Sequence, residues 1–146
     1  MKLSEEHHKI LMLSLHQKIE EYAVNTANKL HSGDTENLLT YPPNHGFTRG
    51  ELQALEKLSG DSPLQSALRK VLANNSAGVV FELMNLLDGT TDPDEELGDW
   101  TGIALVDSDE VIEENEEMLH DSFYASYWDW RERRPDTAWQ LDTFEG

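Results

Sequence analysis

Apolar positions along the first thirty residues recur at helical spacing. Leu11, Leu15, Ile19, Tyr22, Thr26 and Leu30 follow one another at steps of four, four, three, four and four, which places them on one stripe of a 3.6-residue period. Ser4 is positioned to cap this helix and Gly33 to stop it. The paired prolines in Tyr41-Pro42-Pro43-Asn44-His45-Gly46 exclude both helix and central strand, so a linker or turn is expected from His31 to Gly46. In Phe47-Thr48-Arg49-Gly50-Glu51-Leu52 the Thr48 hydroxyl is spaced to accept from the Glu51 amide while the Glu51 carboxylate reaches back, and Phe47 to pack on Leu52. A helix bearing Leu52, Leu55 and Leu58 and ending at Gly60 follows from that box. Ser62 as N-cap, Pro63 at the first helical position and Gln65 closing a second box predict another helix, carried by Leu64, Leu68, Val71 and Leu72 as far as Asn74-Asn75.

The run Ser76–Gly89 is apolar almost throughout, with Val80, Leu83, Met84 and Leu87 at helical spacing and Asp88-Gly89 at its end, and it is expected to be a buried central helix. An acidic loop over Thr90–Asp99 follows. Trp100-Thr101-Gly102-Ile103-Ala104-Leu105-Val106 is the best strand candidate, and such a strand requires a partner within the chain or in another molecule. A last long helix is expected from about Ser108 to Arg134, stopped by Pro135. Its core stripe is Ile112, Leu119, Phe123, Tyr127 and Trp130, with Tyr124 and Trp128 beside it. The pattern as a whole predicts a mainly α single domain over residues 1–146: a bundle of about five helices with at most a small β element near residues 100–106.

Composition supports a folded chain. At 146 residues the chain is long enough to bury roughly 70% of the surface its unfolded form exposes, and its four Trp, four Tyr and four Phe argue against wholesale disorder. No cysteine is present, so there is neither a disulfide framework nor a thiolate metal site. The first residues are too acidic for a signal peptide, and the longest early apolar run, Ile10 to Leu13, is too short to span a bilayer. A cytoplasmic protein is expected.

Charge changes the picture more than composition does. Residues 1–75 form a near-neutral half, with eight basic and nine acidic side chains, whereas residues 76–146 hold three basic and twenty acidic ones, a net charge of −17. Between Val71 and Trp130 sixty residues pass without a Lys or Arg. Such segregation repels itself and weakens the fold, which points to a surface meant for a cationic partner. From Asp107 to Asp121 eight carboxylates fall in fifteen residues, about 22 Å if helical, a linear charge density within a factor of two of duplex DNA. The blander reading of the same residues is a solvated face that keeps the protein soluble.

The aromatic residues bear on that choice. Seven of the twelve lie between Phe123 and Phe144, beside the acidic run. Phe123, Tyr127 and Trp130 are expected in the core, while Tyr124 and Trp128 are better placed for contact, since Tyr, Trp and Arg commonly anchor interfaces. The candidate partner-binding residues are therefore Asp92, Asp94, Glu95, Glu96, Asp99, Asp109, Glu110, Glu113, Glu114, Glu116, Glu117, Asp121, Tyr124 and Trp128.

Metal chemistry finds less support. Asp92, Asp94 and Glu96 alternate as calcium ligands do, but Leu97 stands where a calcium hand needs Gly and Ile103 where it needs Glu. Glu5-x-x-His8 and Glu117-x-x-His120 have the spacing found in di-iron bundles, yet such sites need two further inward carboxylates. No nucleophile elbow, phosphate-binding loop or zinc-protease motif occurs, so no catalytic residue and no cofactor is assigned. Direct binding to nucleic acid is disfavoured because phosphates would meet the −17 half.

The block Phe81-Glu82-Leu83-Met84-Asn85-Leu86-Leu87-Asp88-Gly89, followed by a proline, Trp100 and Ile103-Ala104-Leu105, resembles small one-domain bacterial proteins, among them acidic immunity proteins that neutralise a cognate toxin. The resemblance covers about 30 residues and implies inhibition by occlusion, with acidic residues facing a basic toxin surface. The expectation is a non-enzymatic, immunity-like or antitoxin-like protein that docks on a basic protein. The alternatives are a nucleic-acid mimic occupying a DNA-binding protein and a helical metal-binding protein.

Overall fold

The computed structural model describes residues 3–40, 45–108 and 118–135, which are mainly helical and contain no strand. Helix α1 runs Glu5–Ser32, α2 Arg49–Leu55, α3 Ser62–Asp88, α4 Leu119–Ala125 and α5 Tyr127–Arg133, with 3-10 turns at Glu56–Leu58 and Glu95–Leu97. The chain divides into two compact units, Met1–Lys18 with Ser76–Gly146, and Ile19–Asn75. No helix among the described residues is long and apolar enough to cross a membrane.

The buried face of α1 is not the expected stripe. His8, Met12, His16, Ile19, Ala23, Ala27 and Leu30 are buried, whereas Tyr22 is 72% exposed. Except at Ile19 and Leu30, the face is displaced by one residue, about 100° around the helix. The displacement has a simple origin: two of the inward positions are histidines and two are alanines, which a search for large apolar side chains passes over. The stop at Gly33 forms as expected. Gly33 adopts φ 75°, and the N–H groups of Gly33 and Asp34 return to the carbonyls of Leu30 and Lys29, the double bond that glycine in the left-handed region permits.

In the Ile19–Asn75 unit the Thr48 box closes on both sides: Glu51 N–H donates to Thr48 Oγ1 at 3.2 Å and Thr48 N–H to Glu51 Oε2 at 2.7 Å. The second predicted box is displaced. Asp61, not Ser62, caps α3, with its carboxylate accepting from Leu64 N–H at 3.0 Å and its carbonyl from Gln65 N–H. Gln65 instead donates its side-chain amide to Asn28. Nor does α3 stop at Asn74-Asn75. It continues to Asp88, merging two predicted helices, because Asn and Ser lower helix propensity by only about half a kcal/mol each and neither blocks the hydrogen-bond ladder.

The other unit contains the fully buried Met12, Leu119 and Phe123, together with Leu3 and Met84. The expected buried 76–89 helix is buried on one face only, since Met84 and Asn85 are buried while Val79 and Leu83 are exposed. The long predicted C-terminal helix is also shorter than expected: Met118 is extended (φ −75°, ψ 138°) and precedes α4, which starts at Leu119. Ile112 lies outside the described residues. Ser126 separates α4 from α5, where the Phe123 carbonyl accepts from both Ser126 Oγ and His16 Nε2; side-chain competition for a helix carbonyl interrupts the ladder in this way. Helix α5 ends before Pro135 as its sequence predicts, with Arg134 extended (φ −57°, ψ 133°). The strand expected over residues 100–106 reduces to a single bridge position at Val106. Without a neighbouring strand among the described residues, a lone β-prone segment gains no ladder.

Candidate functional site

Two of the carboxylates in the acidic half serve the fold rather than its surface. Asp88, the last residue of α3, is 1% exposed at its side chain. Its carboxylate accepts from the N–H groups of Leu119 and His120 at 3.0 and 2.8 Å, and from the His120 ring at 2.5 Å. It thereby occupies the capping position that Met118, with no side-chain acceptor of its own, leaves open. Asp107 acts similarly at the start of α1, where it accepts from Ser4 N–H at 3.1 Å and pairs with the His7 ring at 2.9 Å, its side chain only 6% exposed. Burial opposes the ionised Asp107 carboxylate, but hydrogen bonds from His7 and Ser4, with the attraction of His7, outweigh it and hold its pKa below the usual carboxylate value.

Histidines complete the interior of this unit. His16 stacks on Phe123 with ring centroids 4.8 Å apart, and its Nε2 donates to the Phe123 carbonyl at 2.6 Å. Burial lowers its pKa, the bond to Phe123 works in the opposite direction, and the Arg134 charge lowers it further, so the folded protein favours the neutral ring. His8 Nε2 meets Ser122 Oγ. The serine hydroxyl also lies 3.1 and 3.2 Å from the carbonyls of Met118 and Leu119, so it donates into its own helix and accepts from His8. A cleft of about 240 Å³ beside the pair is lined by Glu5, Lys9, Met12 and Asp129 among others. Among the described residues no group of three His, Asp or Glu side chains is arranged to hold a metal ion.

The surface carboxylates lie elsewhere. Asp92, Asp94, Glu95, Glu96 and Asp99 are all exposed on the loop that leaves Asp88. Asp94 orders this loop by capping the 3-10 turn, accepting from Glu96 N–H at 3.0 Å. No ion pair to Lys or Arg reaches these five among the described residues. Asp121 is exposed in the first turn of α4, 3.4 Å from the His120 ring. Because the same His120 is held by Asp88, the start of the acidic loop and Asp121 are brought to one place. Tyr124 and Trp128 are 50% and 54% exposed. Tyr124 also leans on Phe81 of α3, and Arg131 lies over the Trp128 ring at 5.6 Å. The remaining candidates, Asp109, Glu110, Glu113, Glu114, Glu116 and Glu117, lie outside the described residues.

The acidic run from Asp107 to Asp121 is therefore not carried by one continuous helix, since Asp107 is turned inward to His7 and Asp121 lies on a helix that begins only at Leu119. Sequence reading missed Leu97, which is 82% exposed at the end of the acidic 3-10 turn. It also missed the structural histidines of α1, whose signal was present in the four-residue steps from His8 to Met12 to His16. No protein-family model, curated protein or solved structure matches this chain.

Proposed function

We propose that this chain is a non-enzymatic binding protein of immunity or antitoxin type, which docks an acidic face on a basic protein such as a toxin or a nucleic-acid-binding protein. The observation that carries the reading is the exposure of Asp92, Asp94, Glu95, Glu96 and Asp99 on one short loop with no Lys or Arg paired to them among the described residues. Surface carboxylates that stabilise a fold are ordinarily interspersed with cations. Five exposed together oppose one another, and that repulsion is relieved when a cationic surface arrives. Asp88 and Asp107, by contrast, already have partners inside the fold and are not assigned to the docking face.

The test is retention of a partner from cells that make the protein, using the intact chain and a variant carrying Asp92→Asn, Asp94→Asn, Glu95→Gln, Glu96→Gln and Asp99→Asn. A basic protein held by the intact chain, released by raising salt from about 0.05 to 0.5 M and not held by the variant is the expected result. Equal retention by both chains would remove the acidic loop from the interface.

A further inference from the structure

Leu97, Trp100, Ile103 and Val106 start within the acidic cluster and continue past it at steps of three, and all four are exposed: Leu97 at 82% and the others between 38% and 57%. Single exposed apolar side chains are ordinary, but four large ones within ten residues are not. The segment forms no strand that would give them a role in a sheet. Its carboxylates and apolar groups are interleaved, with Glu95 and Glu96 before Leu97 and Asp99 before Trp100.

We infer that Leu97, Trp100 and Ile103 anchor the docking face, and that the partner surface is an apolar cleft rimmed by Lys and Arg. The inference rests on the proposed acidic docking and adds the source of its affinity. Exposed carboxylates chiefly govern encounter rate and salt dependence, whereas a tight complex needs side chains that become fully desolvated. Charge complementarity selects the occupant. A second copy of this chain would oppose the acidic loop with another like it, and an anionic membrane would repel it, while a cationic protein surface with an apolar centre satisfies both kinds of side chain.

Two synthetic peptides of equal length and charge test this, one an amphipathic Lys/Leu sequence and the other Lys/Ser, each titrated into the full chain at low and high salt by calorimetry. The expected result is at least tenfold tighter binding of the Lys/Leu peptide, a blue shift in tryptophan emission that Trp100→Phe removes, and a tenfold loss on Leu97→Ser or Ile103→Ser with the salt dependence unchanged. Circular dichroism of these variants identical to that of the parent separates lost contact from lost fold. Equal affinity for the two peptides, or no effect of Leu97→Ser, overturns the anchoring role while leaving acidic docking in place. If neither peptide binds at low salt, the acidic docking itself is overturned. A concentration-dependent dimer abolished by Leu97→Ser would assign the face to a second copy and overturn the proposed partner.

Discussion

Asp88 holds His120 twice, accepting from its backbone N–H at 2.8 Å and from its ring Nδ1 at 2.5 Å across 32 positions of sequence. The contact joins the end of α3 to the first turn of α4 and closes the loop that carries the exposed acids. It also neutralises the two leading amides of α4 with a carboxylate where the helix dipole favours negative charge.

Replacing Asp88 should therefore cost more than an ordinary surface cap. Asp88→Ala leaves two amides and a ring nitrogen without their acceptor and should lower stability by about 2–3 kcal/mol, read as a reduced urea midpoint. Asp88→Asn, which keeps a carbonyl acceptor, should recover part of that loss. Equal midpoints for Asp88→Ala and the parent would show that the cap is energetically idle.

His16 should make the protein sensitive to mild acid. Its folded pKa lies below the unfolded value of 6.5, so its contribution is complete above about pH 6.5 and is lost as pH falls toward the folded pKa, because the unfolded chain binds the proton first. The faces of the ring are set by Phe123, Tyr127, Ser126 and the Arg134 charge. Proton NMR of His16 in the folded protein should show a midpoint below 6.5, and His16→Phe should flatten the decline of the urea midpoint between pH 7 and 5. A His16 midpoint at or above 6.5 would contradict this.

Asp107 titrates in the opposite sense of charge but with the same sign of slope. Its folded pKa is lowered from 3.8, so its contribution is present above about pH 4 and disappears as pH drops through the folded value. Asp107→Asn should be less stable than the parent at pH 5 and should lose less on acidification to pH 2.5. Parallel pH profiles for the two proteins would remove Asp107 from the acid response.

Gly89 sits at φ 71° directly after α3, and its N–H and that of Thr90 close on the carbonyls of Leu86 and Asn85. A Cβ there meets no neighbouring atom, so Gly89→Ala isolates the backbone effect. It should destabilise by about 1 kcal/mol, measured by urea unfolding, while Gly89→Asn costs less. No loss on Gly89→Ala would mean that the turn readily adopts another conformation.

Several features were legible in the sequence because their causes are local. The Thr48–Glu51 box, the glycine stops at Gly33 and Gly89 and the end of α5 before Pro135 depend on residues within one helical turn of each other. The helical class followed from spacing, and the accumulation of acids between Asp92 and Asp99 could be counted. Tertiary structure decided which carboxylates reach solvent: Asp88 and Asp107 were indistinguishable from their neighbours until α4 and α1 presented unsatisfied amides to them. It also set the inward face of α1, since His8 and His16 become interior residues only where Ser122 and the Phe123 carbonyl, more than a hundred positions away, hydrogen-bond their rings. Local pattern specifies hydrogen bonds that the chain makes with itself nearby; burial of a polar group depends on a partner that only the fold brings within reach.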